Sequence, residues 1–80
     1  MREPTVPYVV YGFGSTHDAL VGERTLLEAD VTTVTIPTPK GIGGLCGISL
    51  RVPWLEGADA DVALLRAGCR WTARIEMLDF

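Results

Sequence analysis

A single α+β domain with its elements in the order βαββαβ is the fold class that this sequence predicts. Three observations predict it. The chain has 80 residues, and a chain of that size buries only roughly 60% of the surface it would expose unfolded, which leaves room for one core. Strand-type patterning recurs along the chain, as alternation of apolar and other residues or as runs of β-branched residues. Between the first and second strand-like segments, and again before the last, apolar residues fall at helical spacing instead.

Val6 to Phe13 alternates, with Val9, Tyr11 and Phe13 on one side and Tyr8, Val10 and Gly12 on the other, and this is strand β1. Gly14-Ser15-Thr16-His17-Asp18 follows as a helix start. Ser15 is suited to the N-cap, and Asp18 holds the acidic position of a capping box. Helix α1 runs from there to about Ala29, with Ala19, Gly22 and Leu26 on one stripe and Leu20 and Leu27 beside it. Val31 to Ile36 is rich in β-branched residues and forms β2, closed by Pro37 and Pro39, which have no N–H to give to a ladder.

Lys40-Gly41-Ile42-Gly43-Gly44 reads as a loop, and Leu45 to Val52 as β3, with Cys46, Ile48, Leu50 and Val52 on one face. Pro53 and Gly57 lead to a short helix α2, about Ala58 to Ala67, whose Ala58, Val62 and Leu65 repeat at helical spacing, and Gly68 is suited to end it. The last strand, β4, spans Cys69 to about Leu78, with Cys69, Trp71, Ala73, Ile75 and Met77 opposite Arg70, Thr72, Arg74 and Glu76. In a short chain this order closes as a ferredoxin-like sandwich, a four-stranded antiparallel sheet in the order 4-1-3-2 with both helices on one face.

Composition narrows the function classes. Nearly half the residues are hydrophobic and the net charge is −3. The basic residues are scattered, so the clustered Lys and Arg that phosphate recognition draws on are missing, and nucleic acid is not an expected partner. No apolar run reaches the ~20 residues of a membrane span, and Met1-Arg2-Glu3-Pro4 leads into a strand-like segment rather than a signal-peptide core. The expected compartment is the cytoplasm. Two cysteines, one histidine and no C-x-x-C pair fall short of a closed metal site, and no cofactor is expected.

In the predicted topology the β1–α1 turn, the β2–β3 loop and the α2–β4 turn share one end of the sheet. Ser15, Thr16, His17, Cys46 and Cys69 therefore converge there. A thiol near a helix N-terminus or a cationic His has its pKa lowered, from near 8.5 to about 7 or below, so Cys46 is the candidate nucleophile and His17 its candidate helper. The plainer reading keeps Cys46 in the core, since it shares parity with Ile48, Leu50 and Val52, and leaves His17 as an exposed helix residue. Cys69 has the parity of Trp71 and Ile75 and reads as core. A Cys46–Cys69 disulfide is not expected, because β3 and β4 flank β1 at about twice the ~4.8 Å strand spacing, beyond the ~7 Å Cα limit.

Two further surfaces carry weaker signals. The loop from Pro37 to Gly44 offers backbone N–H groups for an anion or is simply a hairpin loop. Tyr8, Val10, Thr33, Ser49, Arg51, Arg70 and Arg74 are expected on the uncovered sheet face, as a mixed polar surface or a homodimer interface.

Gly14-Ser15-Thr16-His17-Asp18-Ala19-Leu20 with Glu23 and Leu26-Leu27, then Ile36-Pro37-Thr38-Pro39-Lys40, then Cys46-Gly47-Ile48-Ser49-Leu50-Arg51 form an ordered set. Over about residues 8 to 78 the chain resembles the small bacterial and archaeal proteins described as selenium/sulfur carrier-like. The resemblance implies a thiol protein in which the Cys of the C-G pair, here Cys46, carries the chalcogen. Ser15, Thr16, His17 and Gly47 are the candidate residues around it, and donor and acceptor proteins of sulfur or selenium transfer are the expected partners. The alternative is a small regulatory or protein-interaction module, not an enzyme, with Cys46 in its core.

Overall fold

β1 (Val6–Gly12) is the strand about which the chain is built. It pairs antiparallel with β3 (Ile48–Pro53) on one side and with β4 (Ala73–Asp79) on the other, and β2 (Val34–Pro37) adds to the far edge of β3. The sheet order is β2-β3-β1-β4, with α1 (Thr16–Glu28) after β1 and α2 (Gly57–Arg66) before β4. This is the α+β, ferredoxin-like arrangement expected from the sequence. The computed structural model describes residues 6–40 and 46–79; the glycine-rich run Gly41-Ile42-Gly43-Gly44 and Leu45 lie outside them.

Burial explains why these segments take these forms. Val9, Tyr11 and Phe13 from the β1 segment and Leu50 and Val52 from β3 are buried under Ala19 and Leu26 of α1 and Ala60 and Leu64 of α2. Alternating residues of the strands thus meet the i, i+3, i+4 stripe of the helices. The small residue in α1's stripe, Gly22, permits the closest approach. A methyl group there would stand 2.9 Å from Phe13 Cζ and 3.2 Å from Leu50 Cδ1.

Capping bonds fix where the helices stop. Ser15 Oγ accepts the Asp18 N–H at 3.1 Å, as the N-cap reading requires. At the other end of α1 the Asp30 and Val31 N–H groups return to the Leu27 and Leu26 carbonyls, with Asp30 left-handed at φ 61°. α2 ends in the same way, with Gly68 at φ 74° and the Gly68 and Cys69 N–H groups on Leu65 and Leu64. Both are Schellman motifs, in which the residue after the left-handed one turns back onto the helix.

Three strands start later than the sequence leads one to expect, and strand ends shift by one residue. Val31 is the buried turn-back residue of α1's cap, and the Thr32 N–H is taken by Glu56 Oε1 at 2.8 Å, so β2 starts only at Val34. Cys46 precedes β3 and does not lie in it, although its N–H still reaches the Phe13 carbonyl at 3.0 Å. β4 starts at Ala73, and Trp54–Glu56 forms a 3₁₀ turn where a plain connection was expected.

The largest correction concerns the faces of β4. The register sets Tyr11 opposite Arg74 and Val9 opposite Glu76, so Arg74 and Glu76 share the helix-covered face, while Ala73, Ile75 and Met77 join Tyr8 and Val10 on the uncovered one. Arg74 is held there by Asp61 of α2, Nε to Oδ1 at 2.9 Å, and its guanidinium lies 5.9 Å from the Tyr11 ring centre. The Tyr11 hydroxyl donates to the same Asp61 oxygen at 2.6 Å, and Trp71 stacks at a tilt on the Tyr11 ring at 5.2 Å. A charged residue can sit on the core side because a carboxylate and an aromatic face both receive it.

Two outcomes test this packing. Gly22→Ala gains up to about 1 kcal/mol of helix propensity but forces Phe13 or Leu50 to move, an overpacking cost of about 1–3 kcal/mol. Net destabilisation of about 1 kcal/mol is expected in denaturant unfolding, against the propensity trend. Burial, then the Asp61 bond, hold the Tyr11 phenol above its ordinary pKa. The unfolded phenol ionises near pH ~10 while the folded one keeps its proton, so its stabilisation is complete below that pH and declines above it. Tyr11→Phe is expected to lose about 2 kcal/mol at neutral pH and to show a shallower decline of stability above pH ~10.

Candidate functional site

The sheet topology brings the C-terminal ends of β1 and β2 to the N-terminal ends of β3 and β4. Both thiols stand at this end, on opposite sides of β1. The Cys46 N–H bonds Phe13 on the β3 side, and Cys69 leads toward β4, where the Thr72 N–H bonds the Gly12 carbonyl at 2.8 Å. Both cysteines are free, half-buried, and packed against the rim of the core.

Cys46 is fixed through its backbone rather than through its sulfur. Its N–H is bound by Phe13, and its carbonyl accepts the Thr38 hydroxyl at 2.7 Å. The Thr38 N–H also takes the neighbouring Gly47 carbonyl at 3.0 Å, so Thr38 holds two consecutive carbonyls. Thr38 Oγ1 lies 2.8 Å from Ser49 Oγ. A hydroxyl has one proton, and that of Thr38 is committed to Cys46, so Ser49 is the donor to Thr38. Ser49 is 0% exposed, which corrects its reading as part of an exposed polar face: it is on the uncovered face but sealed by its neighbours.

The Cys46 sulfur donates its proton to the Ile48 carbonyl at 3.1 Å. The next residue, Gly47, is exposed, and among the described residues a Cβ on it would meet nothing within 4 Å beyond its chain neighbours. Ser15, Thr16 and His17 begin α1 immediately after the strand end that binds Cys46. Among the described residues no hydrogen bond joins the Cys46 thiol to any of the three. The Ser15 hydroxyl is occupied as the helix cap, and Thr16 and His17 are exposed.

His17 lies instead toward the second thiol. It lines a shallow cleft of ≈ 290 Å³ with Asp18, Val21, Gly68, Cys69 and Arg70. Cys69 itself is in the turn-back position of α2's Schellman motif, and its sulfur is 3.4 Å from Thr25 Oγ1 of α1. That position favours an apolar contact with the helix, which accords with Cys69 as a rim residue of the core. The residue missed by sequence reasoning is Thr38. The signal for it was its place in Ile36-Pro37-Thr38-Pro39-Lys40, where Pro37 ends β2 and leaves Thr38 free to turn both its N–H and its hydroxyl toward residues 46 and 47.

Fold and site together define a small α+β domain in which one free cysteine is clamped by its backbone at the end of the sheet. Residues 8–74 match the family described as "Putative Se/S carrier protein-like". The chain belongs to that family, and the matched span contains both cysteines, Thr38 and the start of α1. Among curated proteins none matches the chain. No helix among the described residues is long and apolar enough to cross a membrane.

The Thr38 clamp has a measurable worth. Thr38→Val removes the bond to the Cys46 carbonyl and leaves the buried Ser49 hydroxyl without its acceptor, at a cost of about 1–3 kcal/mol. Chemical unfolding should show that loss, and amide exchange at Cys46 and Gly47 should rise more than at Leu50, which the sheet ladder holds.

Proposed function

We propose that this protein carries sulfur or selenium on Cys46. Membership of the carrier-like family supports the reading, and the observation that carries it is the placing of Cys46. Its backbone is anchored on both sides by Phe13 and Thr38, while the cysteine itself is only half-buried and is followed by the exposed Gly47. A carrier needs this combination, because a thiol whose main chain is fixed can present its sulfur in the same place to two successive partners.

The transfer balances without an added oxidant or reductant. The Cys46 thiolate attacks the outer sulfur of a persulfide on a donor protein. A bond forms from Sγ to that sulfur, the donor's sulfur–sulfur bond breaks, and the donor leaves as a thiolate. A thiolate of the acceptor then attacks the outer sulfur on Cys46, and Cys46 returns as a thiolate. With selenium the same two displacements pass through a selenium atom bound to Sγ. Thr16 and His17, exposed in the first turn of α1, are the groups proposed to meet the outer atom or the partner that brings it, with Ser15 holding that turn in place and Gly47 giving access. The cytoplasm is the proposed compartment, since its thiol buffers keep Cys46 reduced.

One observation favours a second reading. Cys46 packs on the core rim and its S–H proton already has an acceptor in Ile48, as expected of a structural thiol in a small interaction or regulatory module. Intact-mass analysis after incubation of the folded protein with a low-molecular-weight persulfide separates the two. A gain of one sulfur atom on the wild type and on Cys69→Ser, lost in Cys46→Ser, is the outcome of the carrier reading. An adduct that survives in Cys46→Ser, or is absent from the wild type, favours the module.

A further inference from the structure

The outer strands of this sheet are treated unequally. A bare row of N–H and C=O groups recruits another strand, and natural sheets blunt it with short strands, prolines, bulges or charged side chains. β2 is blunted in two of these ways, being 4 residues long and ending on Pro37, with Pro39 beyond it. β4 is not. It runs for 7 residues without a proline, and it pairs with β1 in unbroken register from Val6↔Asp79 to Gly12↔Ala73. Among the described residues no strand meets its other edge.

The charges along β4 do not repel a second copy of it. Arg74 and Glu76 are two residues apart, opposite in sign and on the same face. Arg74 spends its Nε on Asp61, while its Nη1 reaches along the strand to Glu76 at 3.3 Å. The Glu76 side chain is 57% exposed there. An antiparallel partner that kept both helix layers on one side of a common sheet would oppose residues of like parity. Centred on Ile75, such a pairing sets Arg74 against Glu76 of the second copy and, by symmetry, the reverse. Ile75 then faces its own counterpart, and Ala73 faces Met77. Centred on Arg74 or on Glu76, it sets like charges directly opposite each other, which destabilises a strand pair. The charge pattern therefore accepts the register through Ile75 and rejects both neighbouring ones.

We propose that β4 is a self-association edge: two copies of this chain join their sheets through antiparallel β4 strands about a two-fold axis at Ile75. The interface is isologous, as closed dimers require. It extends the uncovered face, so that Ile75 and Met77 of each copy come to lie beside those of the other. The proposal rests on β4 alone and is independent of the chemistry at Cys46.

Sedimentation velocity on the full chain tests it. The wild type is expected to be a dimer at high micromolar concentration. Glu76→Arg, which brings like charge against Arg74 in the same register, is expected to weaken association at least tenfold with its circular dichroism unchanged. A wild type that stays monomeric up to about 0.5 mM overturns the proposal, a dissociation constant above that being too weak for a specific pair. A Glu76→Arg dimer as tight as the wild type overturns it too. Should that variant fold poorly, Ile75→Cys in a Cys46→Ser, Cys69→Ser background decides the matter. Directly opposed antiparallel residues have Cα atoms about 4.5–5.5 Å apart, within disulfide range, so a cross-linked dimer is expected on mild oxidation, and its failure to form overturns the register.

Discussion

The Tyr11 hydroxyl, buried in the centre of the domain and bonded to Asp61, is the contact on which most of the arrangement depends. Tyr11 lies on the middle strand, Asp61 on α2, and Arg74 on β4 meets both. One carboxylate oxygen thus joins the central strand, the second helix and the outer strand. The arrangement decides which face of β4 turns inward, because Arg74 finds its partners only on the helix side. Its alternates Ala73, Ile75 and Met77 are consequently on the uncovered face, where the apolar surface of the outer strand remains available. The same Tyr11 side chain meets Trp71, in the segment between Cys69 and β4, ring to ring at 5.2 Å.

Much of the fold was legible in the sequence, and the misreadings have one physical origin. β1 and the stripe of α1 were readable because alternation and helical spacing report burial, and Val9, Tyr11, Phe13, Ala19, Gly22 and Leu26 are buried; on α2 the spacing of Ala58, Val62 and Leu65 marks the exposed side, and Gly57, Ala60 and Leu64 are the buried residues. The Ser15 cap and the Gly68 stop were readable because their backbone requirements are local. Trp71, Ala73, Ile75 and Met77 form an equally clear alternation, but periodicity shows only that two faces differ and not which one a helix covers. Arg74 on the core side is paired through Asp61, a residue far away in sequence, and no local pattern carries that information. The start of β2 was misplaced for a related reason. Val31 and Thr32 have strand-forming composition, yet their N–H groups are taken by α1's cap and by Glu56.

The site was legible in part. That Cys46 and the start of α1 come to one end of the sheet follows from element order alone. The pairing of His17 with the Cys69 cleft does not, since it depends on how α1 is rotated over the sheet. The two thiols differ in how they are held. Cys69 is part of a helix-ending turn and reaches across to Thr25, so it helps to seat α1 against α2. Cys46 is held by Phe13 and Thr38 through groups that take no part in thiol chemistry. Its side of the sheet is also the one farther from β4, so a dimer formed through that strand leaves the Cys46 end accessible.

Whether Cys46 presents a reachable sulfur in the folded protein is read most directly by alkylation of the native chain under limiting reagent, mapped by peptide mass across a range of pH. The expected result is modification of Cys46 without denaturant, ahead of Cys69 and faster as the pH rises. Labelling of Cys46 only after unfolding, or of Cys69 in its place, would contradict it.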